Sequence, residues 1–207
     1  MIARNSLSGV VLSGGQARRM QRAGHESVEK GLLVLHGRPL VAWSQQYLDP
    51  RVDTIYVSAN RCTEVYARFG QVVVDDPGLG TDVGPLAGLA SVLARVQTSW
   101  VLSLPVDVPV LPVDLLERLA AQAEAADSPI AYAFSAQAHP LCMLVHRSTL
   151  TSLRDYLLRG ERKVQIWQSL NRAVRVDFPV DEISFLNING PADLVRAEQC
   201  IGPDGVV

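Results

Sequence analysis

Short apolar segments alternate regularly with segments of helical periodicity over residues 7–126. This alternation predicts a parallel sheet whose neighbouring strands are joined by right-handed helical crossovers. The predicted strands in this part of the chain are Leu7–Ser13, Thr54–Ala59, Gln71–Asp75 and Trp100–Leu104. The predicted helices are Pro39–Leu48, Cys62–Phe69, a helix that opens at Gly84-Pro85, and Pro112–Ala126.

The pattern after Ser128 is mixed rather than strictly alternating. The predicted strands there are Ile130–Phe134, Leu141–His146 and Ala173–Phe178, and the predicted helices are Thr149–Leu158, Lys163–Leu170 and Pro191–Ile201. We therefore expect a single domain spanning residues 1–207, with an α/β fold of the Rossmann-like, doubly wound type. Its mainly parallel sheet would carry helices on both faces and would be followed by a mixed C-terminal part.

The composition excludes several classes of protein. Hydrophobic residues make up 48% of the 207 residues, which is enough to bury a substantial core. A formal net charge of −2 argues against nucleic-acid binding, and no apolar run is long enough to span a membrane. Because the N-terminus also lacks a signal-peptide pattern, we expect a cytoplasmic protein. Cys62, Cys142 and Cys200 are widely separated and are then expected to be reduced packing residues.

A glycine pair directly follows the first predicted strand, in the segment Leu12-Ser13-Gly14-Gly15-Gln16-Ala17-Arg18-Arg19-Met20. Two glycines allow a sharp turn that presents backbone N–H groups outward, where they can hold a phosphate. Arg18 and Arg19 add guanidinium groups, whose planar geometry matches phosphate oxygens. The spacing differs from both the P-loop and the dinucleotide fingerprint. The segment favours a phosphate-binding loop over an ordinary turn followed by two solvated arginines.

Ligands of open α/β sheets bind at the carboxyl ends of the strands, and this chain has charged residues in that region. Lys30 ends the polar stretch after the glycine pair, where it could fold back onto phosphates or remain a solvated surface lysine. Asp107 lies just past a predicted buried strand, between Pro105 and Pro109, which restrict the backbone. A carboxylate fixed in this way suits Mg²⁺, although it could instead cap the turn that leads into the next helix.

Polar residues also follow the second predicted strand and end the third. Asn60 could read a base edge or a ribose, or it could simply terminate its strand. Asp75 and Asp76 form an acidic pair, of which we expect one to touch the nucleotide and the other to cap the loop. His139 precedes a predicted strand, where it could line a substrate pocket, and it is interpreted instead as a loop residue. None of the four histidines has metal-ligand spacing to another.

Several short motifs follow one another along nearly the whole chain. They are Leu12-Ser13-Gly14-Gly15, Arg18-Arg19-Met20, Lys30-Gly31-Leu32-Leu33, Ser58-Ala59-Asn60-Arg61, Gly84-Pro85-Leu86-Ala87-Gly88, Pro105-Val106-Asp107-Val108-Pro109, His139-Pro140, Gly160-Glu161-Arg162-Lys163-Val164 and Phe185-Leu186-Asn187-Ile188-Asn189. In order and spacing they resemble the molybdenum cofactor guanylyltransferases, the MobA family. Four features depart from the family's pattern: Gln21 replaces a glycine, the connection Gln21–Glu29 is longer, Glu29 replaces an aspartate, and the segment Pro77–Val83 is slightly expanded.

The resemblance implies a Rossmann-like domain that binds GTP and Mg²⁺, transfers GMP to the terminal phosphate of molybdopterin and releases pyrophosphate. By motif match, the nucleotide would be contacted by Leu12, Ser13, Gly14, Gly15, Lys30, Asn60, Asp76 and Asp107. Asp107 would also hold the metal, and Asn187 and Asn189 would lie toward the pterin. Other cofactor-biosynthesis proteins or molybdoenzyme chaperones are the protein partners that it implies, without nucleic acid or membrane.

Electrostatics assigns the catalytic roles. The acceptor phosphate must attack an anionic triphosphate, so positioning and charge stabilisation carry most of the catalysis. We therefore predict that Asp107 binds Mg²⁺, while Arg19 and Lys30 neutralise the triphosphate. The alternatives are a cytidylyltransferase acting on molybdopterin, a sugar-phosphate nucleotidyltransferase and, from another class, a non-catalytic nucleotide-binding or carrier protein.

Overall fold

The computed structural model describes residues 2–14, 29–81, 83–181 and 183–202. In chain order its strands are β1 (Leu7–Leu12), β2 (Val34–Leu35), β3 (Arg38–Pro39), β4 (Thr54–Ser58), β5 (Gln71–Val73), β6 (Trp100–Pro105), β7 (Ile130–Phe134), β8 (Ala138–His146) and β9 (Val174–Asp177). Strands β2 and β3 form a small antiparallel ribbon. The others form a seven-stranded sheet in the order β5-β4-β1-β6-β8-β7-β9.

The direction of the strands divides the sheet into two parts. Strands β5, β4, β1 and β6 are mutually parallel, as expected of strands joined by helical crossovers. Strand β8 runs antiparallel to both of its neighbours, and β9 is parallel to β7 at the other edge. The expected mainly parallel sheet with a mixed C-terminal part is therefore confirmed.

Helices cover both faces of the sheet, which is the doubly wound arrangement that the sequence predicts. They are α1 (Leu40–Leu48), α2 (Thr63–Tyr66), α3 (Pro85–Leu93), α4 (Leu115–Ala125), α5 (Leu150–Leu158), α6 (Val164–Leu170) and α7 (Pro191–Cys200). Alternation along β1 explains the two layers: Leu7 and Val11 join the core beneath α1 and α4, whereas Val10 and Leu12 join the core beneath α3 and α5. A strand that is apolar on both sides is typical of a sheet covered on both faces.

Two predicted helices prove shorter than expected, for local reasons. The segment predicted as helix Cys62–Phe69 is helical only over Thr63–Tyr66, because the Phe69 amide bonds back three residues to Tyr66 and tightens the chain into a turn. The segment predicted as helix Pro112–Ala126 begins only at Leu115, after a turn in which the Leu115 amide donates to the Pro112 carbonyl.

The prediction that His139 is a loop residue is wrong, because β8 begins at Ala138 and not at Leu141. Pro140 suggested a strand that starts after it. The register between β7 and β8 shifts at Tyr132 and Ala133, so that Pro140 falls at an irregularity where no ladder hydrogen bond is required of it.

Backbone hydrogen bonds continue beyond the strands and tie their carboxyl ends together. The Ser13 amide donates to the Ser58 carbonyl at 2.9 Å, and the Val106 amide donates to the Leu12 carbonyl at 3.2 Å. At the next pair of strands, the Ala59 amide donates to the Val73 carbonyl at 3.1 Å. The segments that follow β1, β4, β5 and β6 therefore leave one edge of the sheet side by side.

Candidate functional site

Lys30 and Asp107 meet at the carboxyl edge of the sheet. The Lys30 ammonium donates to Asp107 Oδ2 at 2.5 Å and to Asn189 Oδ1 at 2.7 Å. The side chains of Lys30 and Asp107 are only 12% and 17% exposed, so the interpretation of Lys30 as a solvated surface lysine is wrong. Three segments that are distant in the sequence therefore converge on one ammonium group.

Local structure fixes the backbone on both sides of this ion pair. Lys30 opens a short 3-10 helix, Lys30–Leu32, and the residue before it, Glu29, accepts from Arg61 Nε at 2.5 Å. Asp107 lies in the turn after β6, and its own carbonyl accepts from the Ile188 amide at 2.8 Å. These hydrogen bonds fix the backbone of Lys30 and of Asp107. The distance between the two charged groups is therefore set by the surrounding structure as well as by the ion pair itself.

The segment before α7 lies across the turn that carries Asp107. Besides the bond from Ile188, the Phe185 amide donates to the Val110 carbonyl at 3.0 Å. Asn189 is oriented by Asp193, whose Oδ2 accepts from the Asn189 and Gly190 amides at 2.9 Å each. Asn187 and Asn189 are both exposed, and it is the side chain of Asn189 that accepts from Lys30.

His139 supports this segment from the sheet. Its ring stacks on Phe185 with a centroid distance of 4.3 Å and an interplanar angle of 13°. Its Nε2 lies 2.8 Å from the Ser135 hydroxyl. Partial burial lowers the pKa of His139 below its ordinary value, which favours the neutral ring in the stack.

A second polar group lies after β4 and β5. Asn60 Nδ2 donates to Asp75 Oδ2 at 2.9 Å, and Asn60 Oδ1 accepts from the Asp75 amide at 2.9 Å. The side-chain amide of Asn60 thus joins the ends of two neighbouring strands. Helix α3 packs closely here, since a Cβ built on Gly88 would lie 2.0 Å from the Ser58 hydroxyl. Only glycine fits the helix at that point.

Asp76 uses its carboxylate to organise the chain around it. Oδ1 accepts from the Gly78 amide at 2.9 Å and caps the 3-10 helix Pro77–Leu79, while Oδ2 accepts from Arg154 at 2.8 Å. The Asp76 amide donates to the Ser91 hydroxyl at 2.8 Å. The hydrogen bond from the Gly78 amide and the one from Arg154 hold the pKa of Asp76 below its ordinary value.

The first part of the glycine segment follows β1 at the centre of this edge. Leu12 and Ser13 are buried, and Gly14 is exposed. Ser13 is 0% exposed as a whole residue, so Gly14 is the described part of this segment that reaches the surface. Gly15, Arg18, Arg19 and residues 21–28 of the connection lie outside the described residues.

Sequence reasoning missed several residues of this edge. Arg154, Ser91 and Asp193 were not predicted as partners. Arg154 contacts a carboxylate 78 residues away, and Ser91 accepts from the backbone amide of Asp76, which lies 15 residues before it. Asp193 is local, since it accepts from the Asn189 and Gly190 amides directly before its own helix. Only the acidic residue three positions after Gly190, at the third position of α7, is a recognisable capping signal.

The donor set at this edge suits a metal that takes most of its ligands from elsewhere. Within the described ranges, no cluster of three or more His, Cys, Asp or Glu side chains could hold an ion. Asp107 is a single carboxylate, and Mg²⁺ is typically bound by one or two carboxylates together with substrate phosphates and water. The site therefore fits Mg²⁺ bound with a polyphosphate, and it does not fit an ion held by protein alone.

A cavity of about 600 Å³ opens at the amino ends of β4 and β5, next to Arg4 and Arg68, but ligand sites of open α/β sheets form at the opposite edge. Among the helices of the described residues, none is long and apolar enough to cross a membrane.

Comparison with known proteins agrees with the fold. Residues 9–174 match the family model described as the MobA-like NTP transferase domain. A molybdenum cofactor guanylyltransferase of Mannheimia succiniciproducens is 39% identical over 190 residues, covering 91% of this chain and 97% of that protein. Molybdopterin-guanine dinucleotide biosynthesis protein A of Archaeoglobus fulgidus superposes with a TM-score of 0.71 at 26% identity, covering 93% and 97% of the two chains.

Proposed function

Because the chain belongs to the MobA-like NTP transferase family, we propose that it transfers GMP from GTP to the terminal phosphate of molybdopterin. The products would be the guanine dinucleotide form of the cofactor and pyrophosphate. The observation that carries this proposal is the convergence of Lys30, Asp107 and Asn189 at the strand ends. A cation, a carboxylate and an amide meet where an open α/β sheet binds its ligand.

The proposed reaction needs no nucleophile from the protein. A phosphate oxygen of molybdopterin attacks the α-phosphorus of GTP, a new P–O bond forms, and the bond between the α-phosphorus and the bridging oxygen breaks. The oxygen and its electron pair leave with pyrophosphate. Repulsion between the two anions is the main obstacle, so the protein's task is to position them and to neutralise charge.

Lys30 is the described cation best placed to neutralise the triphosphate. Its ammonium is held by Asp107 and Asn189, and it would exchange these oxygens for phosphate oxygens. A lysine ammonium suits such an exchange because it is a point charge whose three donors rotate freely. Arg19 would supply a second positive charge from the glycine segment.

Asp107 would hold Mg²⁺ together with phosphate oxygens. When bound, this ion would supply positive charge to the triphosphate and to the developing pyrophosphate. The carboxylate of Asp107 becomes available for it when Lys30 turns to the nucleotide. The same exchange frees Asn189, which with Asn187 would face the pterin substrate.

The remaining nucleotide contacts would come from the rest of this edge. Backbone groups of Leu12, Ser13, Gly14 and Gly15 would border the phosphates, and Asn60 and Asp76 would face the nucleoside. We also propose that residues 1–207 work as one domain in the cytoplasm, with cofactor-biosynthesis proteins or molybdoenzyme chaperones as partners.

Nucleotide-dependent heat protection combined with product analysis tests this function. The purified chain is heated with Mg²⁺ and GTP, CTP or UTP, and transfer is then followed by pyrophosphate release with molybdopterin as acceptor. We expect GTP to give the largest increase in Tm and to be the only efficient donor. Protection by CTP with formation of a cytosine dinucleotide would replace the guanylyl assignment, and binding without pyrophosphate release would indicate a carrier.

A further inference from the structure

A buried tyrosine lies beneath the segments that carry the site. Tyr66, the last residue of α2, is 0% exposed. Its hydroxyl is buried and makes no regular hydrogen bond with another described residue, and the same holds for the buried hydroxyl of Ser13. A buried polar group without a partner costs free energy that phenylalanine in the same place would not cost.

The surroundings of the Tyr66 hydroxyl connect it to three segments of the site. A Cβ built on Gly31 would lie 2.6 Å from this oxygen and 3.0 Å from Val106 Cγ2. Gly31 directly follows Lys30, and Val106 directly precedes Asp107. Burial raises the pKa of the Tyr66 phenol, and the nearby Glu29 carboxylate raises it further, while weaker interactions with the Ser13 hydroxyl and the Gly31 backbone oppose this rise. Ser13 directly precedes Gly14.

We propose that Tyr66 is a positioning residue, whose hydroxyl sets the spacing between the segments that carry Gly14, Lys30 and Asp107. This inference depends on the proposed function, because it assigns a role to Tyr66 in the same reaction. The oxygen occupies the space that a side chain at position 31 would need. Tyr66 and the missing side chain of Gly31 therefore together determine how closely Lys30 approaches Asp107.

Removing the hydroxyl of Tyr66 distinguishes a structural role from a positioning role. Loss of a purely structural hydroxyl would change stability and leave kcat unchanged. Tyr66→Phe leaves the ring in the core and removes a buried oxygen that makes no regular hydrogen bond with another described residue, so we expect a nearly unchanged Tm. If the oxygen sets the spacing, a small displacement of Lys30 affects the transition state more than the bound substrate. We therefore expect kcat to fall about tenfold or more, with a smaller change in KM for GTP.

Tyr47→Phe is the matched control. The Tyr47 hydroxyl donates to the Pro112 carbonyl at 3.2 Å, and Tyr47 lies near the carboxyl end of α1. The chain that leaves this end bonds to Leu7 at the amino end of β1, the opposite edge of the sheet from Lys30 and Asp107. Its replacement is expected to lower Tm slightly through the lost hydrogen bond while kcat stays unchanged. Tyr66→Phe should therefore lower kcat without lowering Tm, whereas Tyr47→Phe should lower Tm without lowering kcat.

A double-mutant cycle with Gly31 provides the decisive experiment. Gly31→Ala places a methyl group against the Tyr66 oxygen and should reduce kcat strongly. In the Gly31→Ala/Tyr66→Phe variant the closest contact is gone, although contacts of 3.0 Å and 3.1 Å remain, so we expect partial recovery of kcat.

Three outcomes of these assays are distinguishable. A wild-type chain that transfers no nucleotide contradicts the proposed function itself. A wild type that transfers GMP, with Tyr66→Phe at full kcat, overturns the positioning role and leaves the function intact. Additive losses in the double variant, with no recovery, also overturn it, because the two positions would then act independently.

Discussion

Two carboxylates at the same edge of the sheet are held in contrasting ways. Asp76, beyond β5, is engaged by the Gly78 amide and by Arg154, and both bonds organise the protein around it. Asp107, beyond β6, is engaged by the ammonium of Lys30, which also bonds to Asn189. Asp76 is therefore built into a cap, whereas Asp107 is paired with a cation that has another possible partner.

The contrast suggests that Asp76 and Asp107 have different roles in the site. A carboxylate that caps a turn contributes a fixed acceptor, because releasing it would cost the turn its capping hydrogen bond. A carboxylate paired with a lysine can exchange that lysine for a metal ion without disturbing the backbone. The β6 side is therefore the reactive part of the proposed site, and the β5 side is its rigid border.

The largest effect is expected from Asp107→Asn. The amide keeps the shape of the side chain and an oxygen for Lys30, but it removes the charge that would hold Mg²⁺. We expect pyrophosphate release to fall by about a hundredfold or more, with an unchanged circular dichroism spectrum. Asp114→Asn, which removes an exposed carboxylate paired with Arg118, is the control and should transfer normally. Full activity of Asp107→Asn would remove Asp107 from the mechanism.

A smaller effect is expected on the β5 side. Arg154→Gln releases Asp76 from an ion pair whose two side chains are 38% and 32% exposed. Exposed pairs contribute about 1 kcal/mol or less, so we expect the Kd for GTP to rise by no more than about fivefold. Isothermal titration with GTP and Mg²⁺ measures this change. If Arg154→Gln also lowered pyrophosphate release by as much as Asp107→Asn, the proposed distinction between the β5 side and the β6 side would be wrong.

The smallest effect concerns the pH dependence of stability. His139 and Asp76 are expected to lose their stabilising contributions in different pH ranges. The pKa of folded His139 lies below the ordinary value of 6.5, so the unfolded chain takes up the proton first. Stability contributed by the neutral ring is therefore lost as pH falls below 6.5 toward the folded pKa. The pKa of Asp76 is lowered from 3.8, so its contribution is lost only as pH falls below that value.

His139→Gln should therefore lose less Tm than the wild type between pH 7 and pH 5. His146→Gln is the useful comparison, because burial also lowers the pKa of His146, which lies at the far end of β8. If only His146→Gln changed the pH dependence, the stack of His139 on Phe185 would not be the source of the acid sensitivity.

The general position of the site could be predicted from the sequence, but many of its contacts could not. Apolar runs and helical periodicity located the parallel strands, and parallel strands place their carboxyl ends together. That reasoning brought Gly14, Asn60 and Asp107 to one edge. The partners of these residues depend on packing between distant segments, such as Asn189, which lies 159 residues beyond Lys30.

Other differences arise from local exceptions to general rules. Pro140 normally ends a strand, yet it lies inside β8 because the register shifts opposite it. The sequence around Tyr66 does not distinguish it from any other core tyrosine. Its position beneath Gly31 depends on the close approach of two distant segments, which the sequence does not show. The sequence predicts that one member of the Asp75-Asp76 pair contacts nucleotide and that the other caps the loop. The residue that caps the turn is Asp76, which the motif match assigns to the nucleotide, so that contact stays a prediction.

The exchange of Lys30 between Asp107 and the triphosphate is the central claim, and magnetic resonance of the lysine ammonium groups tests it most directly. The chain contains only two lysines, Lys30 and Lys163, so ¹⁵N-lysine labelling gives an internal control. Addition of GTP with Mg²⁺ is expected to shift the Lys30 ammonium signal strongly and to leave that of Lys163 nearly unchanged. An unchanged Lys30 signal at saturating GTP would mean that Lys30 stays on Asp107, and it would contradict the account.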